Sequence, residues 1–288
     1  MADEIRHPPS PKAAVVNRKQ LTPEQDARRR RRLRSANGIG NWFTYRLYRG
    51  TVVLLGRILM QGEMLYKDRL PQPSPGFYPS FYHRYGSEPV SDYPFVLSAN
   101  HSHLLDIPLT GQIRRPMAWP AKPGFVKFRW LAAINQRQGC VSFMRDTDWA
   151  EHPEYAEFTY TKDELKEVNH AALLRGQPVV VFPQGTRRED DNLDESKLGA
   201  MYAAIRANVP LVPLAIYGLT KTDQHFRTPF LKRIRAVAIV MDPIYPGDFV
   251  HLGDDRAIAY AMFDAWKQAI ERGRTQGRDY LMGPDVYF

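Results

Sequence analysis

Short apolar runs alternate with segments of helical spacing through most of the chain after residue 90. The apolar runs predict six strands, at residues 95–98, 117–120, 141–144, 178–182, 211–216 and 236–241. Apolar residues recur at helical spacing in three segments, 160–174, 197–207 and 254–271. Strands separated by helical crossovers are typical of a mainly parallel sheet with helices on both faces. The sequence therefore predicts an α/β fold of this kind.

The segment 41–66 combines aromatic and aliphatic residues with spaced arginines. At about 100° per residue, three arginines fall within one narrow wedge while the apolar residues point elsewhere. They are Arg46, Arg49 and Arg57. This pattern predicts an N-terminal amphipathic helix, or two shorter helices broken near Gly50 or Gly62. We interpret residues 37–70 as a membrane-associating helical segment, with a helix packed on the core of the body as the alternative.

The basic charge is concentrated near the N-terminus. Residues 1–36 contain ten Lys and Arg against four Asp and Glu, whereas the other 252 residues contain 30 against 27. This leader has few large apolar residues, so it is predicted to be a disordered basic arm. The nearly neutral remainder argues against a nucleic-acid enzyme, with a nucleic-acid tether at Arg28 to Arg32 as the alternative. Residues 71–288 are then the main domain.

Composition and apolar run length exclude several classes of protein. One cysteine, Cys140, excludes a disulfide scaffold and any site that needs several thiolates. No apolar run approaches the roughly 18 residues that a membrane span requires. Residues 1–30 lack the apolar core of a signal peptide. We therefore expect a cytoplasmic, reducing compartment.

A polar segment with two histidines follows the predicted strand at 95–98. It places His101 and Asp106 five residues apart, which in a continuous helix is about 140° around the axis. The two can meet if His101 occupies a turn and Asp106 the first turn of a helix. A carboxylate so placed fixes the imidazole tautomer and stabilises the imidazolium, as in a general-base pair. The alternatives are a purely structural pair, or a base at His103.

Two further strand ends carry arginines. One predicted strand ends at Arg145, and another runs into the turn Gly185-Thr186-Arg187. Because the carboxyl ends of parallel strands meet at one edge of a sheet, we expect these groups to share a crevice with His101. An arginine fork recognises phosphate or carboxylate, which indicates an anionic ligand. A structural salt bridge is the alternative for either arginine alone.

Four blocks, over roughly residues 90–245, resemble the glycerolipid acyltransferase family, typified by 1-acyl-glycerol-3-phosphate acyltransferase. The family motifs are N-H-x-x-x-x-D, G-x-x-x-x-x-R, F-P-E-G-T-R and V-P-x-x-P. The matching residues are Asn100-His101-x-x-x-x-Asp106, Gly139 to Arg145, Phe182-Pro183-Gln184-Gly185-Thr186-Arg187 and Val209-Pro-Leu-Val-Pro213, with Lys122 before the second block and Lys197 and Gly199 after the third. The order and spacing of the first and third blocks are the strongest part of the resemblance.

The resemblance implies a reaction and a role for each matched residue. His101 is expected to deprotonate an acceptor hydroxyl that attacks an acyl thioester directly, while Asp106 orients the imidazole. The acceptor and its phosphate are expected to lie against a second group of residues: Lys122, Arg145, Gln184, Gly185, Thr186 and Arg187. The resemblance also implies no metal, no cofactor and no covalent acyl-enzyme. This is consistent with the chemistry, since a thioester is already activated and positioning plus one base can suffice.

The predicted function is transfer of a fatty acyl group from acyl-CoA or acyl carrier protein to a lysophospholipid, with 1-acyl-glycerol-3-phosphate as the expected acceptor.

Two departures from the family motifs fall on the acceptor side, since Gln184 replaces a glutamate and Met144 stands where an acidic residue often occurs. The alternatives are the same chemistry on another lipid or glycolipid hydroxyl, and a non-catalytic lipid-binding protein. The expected partners are the two substrates and a membrane surface, which places the protein peripherally on the membrane, with no nucleic acid.

Overall fold

The computed structural model describes residues 60–71, 93–103, 105–113, 117–121, 140–144, 159–174, 176–185, 192–220 and 234–283, together with four single positions, Glu24, Ala27, Gly50 and Leu54. The predicted basic leader, residues 1–36, lies almost entirely outside these ranges. The predicted amphipathic helix lies outside them up to residue 59, except at Gly50 and Leu54, where the backbone is helical.

The described strands form one mainly parallel sheet with a two-stranded extension. They are β1 (Met60–Leu65), β2 (Val96–Ala99), β3 (Trp119–Ala121), β4 (Cys140–Ser142), β5 (Val179–Val181), β6 (Leu211–Tyr217) and β7 (Ile234–Val240). Five of them are ordered β1-β7-β6-β2-β5, parallel throughout except for the antiparallel pair β6 and β7. β3 and β4 pair in parallel, and a parallel bridge between Ala118 and Val179 joins them to β5. The predicted mainly parallel sheet is confirmed.

Helices cover both faces of this sheet. The described α-helices are α1 (Asp106–Thr110), α2 (Lys162–Leu174), α3 (Gly199–Ala207) and α4 (Asp255–Met282), and 3-10 helices occur at Lys67–Arg69 and Pro246–Leu252. One face of the sheet packs against α2, α3 and α4 around the fully buried Trp266. On the other face, Leu109 of α1 and Ile113 join the sheet residues in a second core. Within the described ranges, no helix is both long enough and apolar enough to cross a lipid bilayer.

The last helix, α4, lies very close to the sheet at two glycines, Gly273 and Gly277. A Cβ atom at Gly277 would lie 2.9 Å from Val237 Cγ1 and 3.0 Å from Tyr217 Cβ, so a larger residue would push the helix away. The helix begins at an N-cap, where Asp254 accepts hydrogen bonds from two backbone N–H groups. It runs to Met282, past the predicted end at residue 271, because its glycine face packs on the strands.

The first strand corrects the sequence prediction. The sequence pattern predicts helix through residue 66, whereas Met60–Leu65 form β1 and pair in parallel with β7. Met64 is buried in the core, and the exposed Glu63 accepts a hydrogen bond from the Tyr280 hydroxyl at 2.6 Å. Pairing with β7 satisfies the strand backbone, and this tertiary contact overrides the local helical spacing. The sheet therefore includes residues ahead of 71, where the main domain is predicted to begin.

Candidate active site

The predicted His–Asp pair forms at the edge of the sheet where β2 ends. His101 Nδ1 donates a hydrogen bond of 2.7 Å to Asp106 Oδ2. His101 lies in the connection after β2, and Asp106 is the first residue of α1. This is the arrangement that the five-residue spacing requires for contact, because a continuous helix would have separated the two side chains.

Asp106 organises the whole connection from β2 to α1. Its side chain is fully buried, and Oδ2 also accepts the backbone N–H groups of Ser102 at 2.9 Å and His103 at 3.0 Å. Three donors on one oxygen hold the carboxylate in place, which in turn fixes the orientation of the imidazole. The other oxygen, Oδ1, makes no hydrogen bond in the described part of the structure.

The imidazole of His101 is held on a second side and remains accessible. Its ring stacks on Phe182, with centroids 4.3 Å apart and planes inclined by 30°. Because Nδ1–H is donated to Asp106, Nε2 carries the lone pair of the neutral ring. The side chain is 18% exposed, and no described residue hydrogen-bonds to Nε2. This nitrogen is therefore placed to accept a proton from a bound molecule.

The second histidine of the segment is placed differently. His103 Nδ1 accepts the backbone N–H of Leu105 at 3.2 Å, and only the main chain of His103 contacts Asp106. A general base of this type needs a carboxylate against its ring to stabilise the imidazolium. Of the two histidines, His101 has that partner.

Asn100 attaches the histidine segment to the neighbouring strand. Its side-chain amide donates to the carbonyl oxygen of Ile216 at 2.9 Å and accepts the Ile216 N–H at 2.7 Å. The residue is 1% exposed, so neither bond is shared with water. This two-way contact fixes the end of β2 against β6, directly before His101.

Replacing Asn100 with alanine is expected to lower the free energy of unfolding by about 2 kcal/mol, because it leaves the N–H and carbonyl of Ile216 buried without partners. Urea denaturation followed by circular dichroism measures this loss. Asn169→Ala is the matched control, since Asn169 is also buried but its Oδ1 makes no hydrogen bond in the described structure. Equal losses in the two variants would contradict a specific role for the Asn100 contact.

The third block forms a turn after β5 that lies against the histidine. Gln184 is 4% exposed, and its Oε1 accepts the backbone N–H of His101. Its Nε2 donates to the carbonyl oxygen of Asn192 at 3.1 Å. Gly185 has φ = 68°, a conformation that favours glycine over other residues, so this block turns sharply at that position.

A lysine outside the predicted site lies beside this turn. The amino group of Lys197 would be 3.8 Å from a Cβ atom at Gly185, and the Lys197 N–H donates to the carbonyl oxygen of Pro183 at 2.8 Å. In the family resemblance, Lys197 is named only as the lysine that follows the third block. The residue spacing does not indicate that Lys197, twelve residues after Gly185, lies beside the glycine turn. Nor does it indicate that Phe182 stacks on His101.

Four predicted acceptor-binding residues lie outside the described residues: Lys122, Arg145, Thr186 and Arg187. The strands that precede them are described. Lys122 directly follows β3, Arg145 follows the β4 segment that ends at Met144, and residues 186 and 187 follow Gly185. β2, β5, β3 and β4 are successive neighbours and all parallel, so their carboxyl ends share one edge.

Part of the chain resembles a known protein family. Residues 82–217 match the family model described as Acyltransferase. The resemblance to the acyltransferase family is confirmed. The matched segment contains the His101–Asp106 pair and the Gln184–Gly185 turn, and it ends at the last residue of β6.

Curated relatives carry the same family name. The human 1-acyl-sn-glycerol-3-phosphate acyltransferase alpha is 24% identical over 209 residues, covering 66% of this chain and 65% of its own length. The chloroplastic acyltransferase LPAT1 of Arabidopsis thaliana is 28% identical over 157 residues, covering 54% of this chain and 41% of its own length. The chain thus matches less than two thirds of the length of these acyltransferases.

One solved acyltransferase structure is also similar. It is the crystal structure of the 1-acyl-sn-glycerophosphate (LPA) acyltransferase PlsC from Thermotoga maritima. That chain is 16% identical, with a TM-score of 0.49 over 79% of this chain and 80% of its own length.

Proposed function

We propose that the protein transfers a fatty acyl group from an acyl thioester to the free hydroxyl of 1-acyl-glycerol-3-phosphate, which gives phosphatidic acid. The observation that carries the proposal is the imidazole of His101, oriented by Asp106 through Nδ1 and open at Nε2. Relatives named 1-acyl-sn-glycerol-3-phosphate acyltransferase support the choice of acceptor.

The reaction needs one base and correct positioning. His101 Nε2 accepts the proton of the acceptor hydroxyl while the oxygen forms a bond to the thioester carbonyl carbon. The buried Asp106 carboxylate stabilises the imidazolium that results. When the tetrahedral intermediate collapses, the C–S bond breaks and the leaving thiolate takes the proton from His101. The thiol is released, and the histidine returns to its neutral form.

The acceptor phosphate is proposed to lie against Lys122, Arg145 and Arg187, with Gly185 and Thr186 beside it. Support comes from the parallel order β2, β5, β3, β4, which brings the strands preceding these residues to the edge that carries His101. At about 4.8 Å between neighbouring strands, the ends of β5, β3 and β4 lie about 5 to 15 Å from the end of β2. Long Lys and Arg side chains can span the remaining distance.

Thiol release from acyl-CoA and acyl-loaded carrier protein, measured with a panel of acceptors, tests this function. We expect release with 1-acyl-glycerol-3-phosphate that exceeds release without acceptor at least tenfold, and phosphatidic acid as the product by mass spectrometry. Glycerol 3-phosphate and lysophosphatidylcholine serve as controls for the acyl chain and the phosphate monoester. Preference for another lysolipid or a glycolipid would reassign the acceptor, and absence of release with every acceptor would favour lipid binding without catalysis.

We also propose that the basic arm and the segment 37–59 hold the catalytic edge at an anionic membrane surface. β1 supports this placement, because Met60 pairs with Ile234 at the start of β7, and that end of β7 lies beside the carboxyl end of β6. The Gln112 side chain after α1 also donates to the Gly62 carbonyl oxygen at 2.9 Å. The chain therefore enters the sheet at the edge that carries the His101 segment, where acyl chains from a bilayer would arrive.

Deletion of residues 1–36 is expected to weaken binding to vesicles of anionic lipid at least tenfold and to reduce its dependence on salt. Six arginines lie between Arg28 and Arg34. Each basic residue near an anionic leaflet contributes about 1 kcal/mol, an attraction that falls off within a Debye length. Co-sedimentation with vesicles at about 50 and about 300 mM salt, which give weak and strong screening respectively, measures the change.

Thermal unfolding provides the control for this deletion, and little loss of stability is expected because the arm is predicted to be disordered. Neutral phosphatidylcholine vesicles control for binding through the apolar face alone. Unchanged binding to anionic vesicles, or tighter binding of the arm to nucleic acid than to lipid at equal ionic strength, would contradict the membrane proposal.

A further inference from the structure

Gln184 is enclosed by protein on both ends of its side chain. Its Oε1 accepts the backbone N–H of His101, and its Nε2 donates to the carbonyl oxygen of Asn192. With 4% of its surface exposed, the amide directs its polar atoms toward main chain rather than toward the open sheet edge. This placement differs from that of a residue that binds the acceptor.

The two contacts of Gln184 require opposite chemistry. The N–H of His101 needs an acceptor, and the carbonyl oxygen of Asn192 needs a donor. A side-chain amide offers both, whereas an ionised carboxylate offers only acceptors and would place an oxygen against the Asn192 carbonyl. A glutamine at this position, where the family motif has glutamate, therefore fits the backbone groups that surround it here.

The loop on the far side of the amide is anchored to the body. Leu193 is buried in the core, and the Asn192 side chain accepts the N–H of Asp194 at 2.8 Å. Asp194 in turn forms an ion pair with Lys267 of α4. The amide thus connects the main chain of His101 to a loop that is fixed at two further points.

We propose that Gln184 is a positioning residue: it holds the His101 main chain in the position from which the imidazole Nε2 reaches the acceptor hydroxyl. Asp106 fixes the ring through Nδ1, and Gln184 fixes the backbone that carries the ring. This inference rests on the proposed function of His101 as the base. It replaces the expectation that Gln184 touches the acceptor, and it assigns the amide a specific chemical requirement.

Kinetics of Gln184→Met and Gln184→Glu test the proposal. Methionine has a similar length but neither a donor nor a comparable acceptor, and glutamate keeps only the acceptor end when ionised. Both variants are expected to lower kcat by about 10- to 100-fold at pH 8, with KM for acceptor and donor within about twofold of the wild type. A direct contact with the acceptor would instead raise the acceptor KM.

The pH dependence separates the two variants. A protonated carboxyl in the Gln184→Glu variant carries one donor and one acceptor and can restore both contacts, so the activity of this variant relative to Gln184→Met is expected to rise as the pH falls toward 6. Burial raises the pKa of a carboxyl, which brings this recovery into the measurable range. Among the described residues, the titratable groups on the surrounding elements are His101, His103 and Asp106 after β2, Lys197 beside Gly185, Asp194 and Glu195 of the loop, and Lys267 of α4. These groups are the same in Gln184→Met, so the ratio of the kcat values of the two variants reports the titration of residue 184 alone.

Hydrogen exchange at the His101 amide gives a readout that does not depend on turnover. Protection of this amide is expected to fall at least tenfold in Gln184→Met, while exchange of the β2 and β6 amides stays unchanged and shows that the variant is folded. The proposal would be overturned by unchanged protection, by a pH-independent ratio between the variants, or by an effect confined to acceptor KM. If wild-type protein acylates a different acceptor, the same kinetics with that acceptor apply, and failure of the proposed substrate is recognised in the wild type alone.

Discussion

His101→Ala is expected to remove essentially all acyl transfer, a loss of at least about 10³-fold in kcat/KM. Asp106 binds Nδ1 of this histidine, so Nε2 is the ring nitrogen that can accept a proton. The acceptor hydroxyl is a poor nucleophile until it loses its proton. Steady-state thiol release and a single-turnover assay measure the loss. His101 is partly exposed and lies on the surface of the edge, so the variant is expected to fold, which circular dichroism checks.

Asp106→Asn is expected to cost on the order of 10² to 10⁴ in rate, for a reason that the hydrogen bonds specify. Three N–H donors converge on Oδ2, so the carbonyl oxygen of an asparagine would take that place. The tautomer of His101 would then be kept, and the negative charge that stabilises the imidazolium would be lost. The variant therefore measures the electrostatic contribution of Asp106.

His103→Ala is the control for both variants. Its ring contacts the main chain of Leu105 and not Asp106, so we expect no more than about a threefold change in kcat. Activity that survives His101→Ala but is lost in His103→Ala would reverse the assignment of the base.

The sheet was predictable because its signals are local. The buried run before Asn100, the run at 178–182 and the apolar stretch from Leu211 each read as a strand, and all three are adjacent in the structure. The geometry of His101 and Asp106 was predictable for the same reason, since five residues of a turn and a helix start determine it.

Other parts depend on contacts between distant residues. β1 carries a helical pattern of apolar residues, and only its partner β7, more than 170 positions later, makes it a strand. The end of α4 is similar, because Gly273 and Gly277 look like helix breakers until the sheet is present to receive them. In the site, both partners of the Gln184 amide are main-chain groups, the N–H of His101 and the carbonyl oxygen of Asn192, which no side-chain pattern can reveal.

Arg145→Ala is expected to lower kcat/KM for the acceptor by about 30- to 1000-fold, which corresponds to a loss of roughly 2–4 kcal/mol in transition-state stabilisation. KM for the acyl thioester is expected to change little. The residue follows β4, whose segment is anchored at its end by the Met144 N–H donating to the Tyr160 carbonyl oxygen at 3.0 Å. A rigid strand end can hold a guanidinium toward a phosphate without much loss of side-chain freedom on binding. Initial rates with each substrate varied in turn separate the two effects.

Arg145→Lys and Arg206→Ala give this prediction its controls. Lysine keeps the charge but lacks the planar fork, so partial recovery alone is expected if two phosphate oxygens are bound at once. Arg206 forms an exposed salt bridge with Glu167 at the far end of α3, with Nη1 to Oε1 at 2.8 Å, and its removal is expected to leave acceptor kinetics unchanged. That variant tests whether the mere loss of one positive charge weakens attraction of an anionic acceptor.

The acceptor without its phosphate decides between a binding role and a structural one. If Arg145 binds the phosphate, a monoacylglycerol should react equally slowly with wild type and Arg145→Ala, because the group that the arginine contacts is absent. If the arginine instead supports the strand end through an internal salt bridge, the variant should be slower with both acceptors by the same factor. Unchanged kinetics with 1-acyl-glycerol-3-phosphate would remove Arg145 from the proposed site, and the phosphate would then have to depend on Lys122, Arg187 and the nearby Lys197.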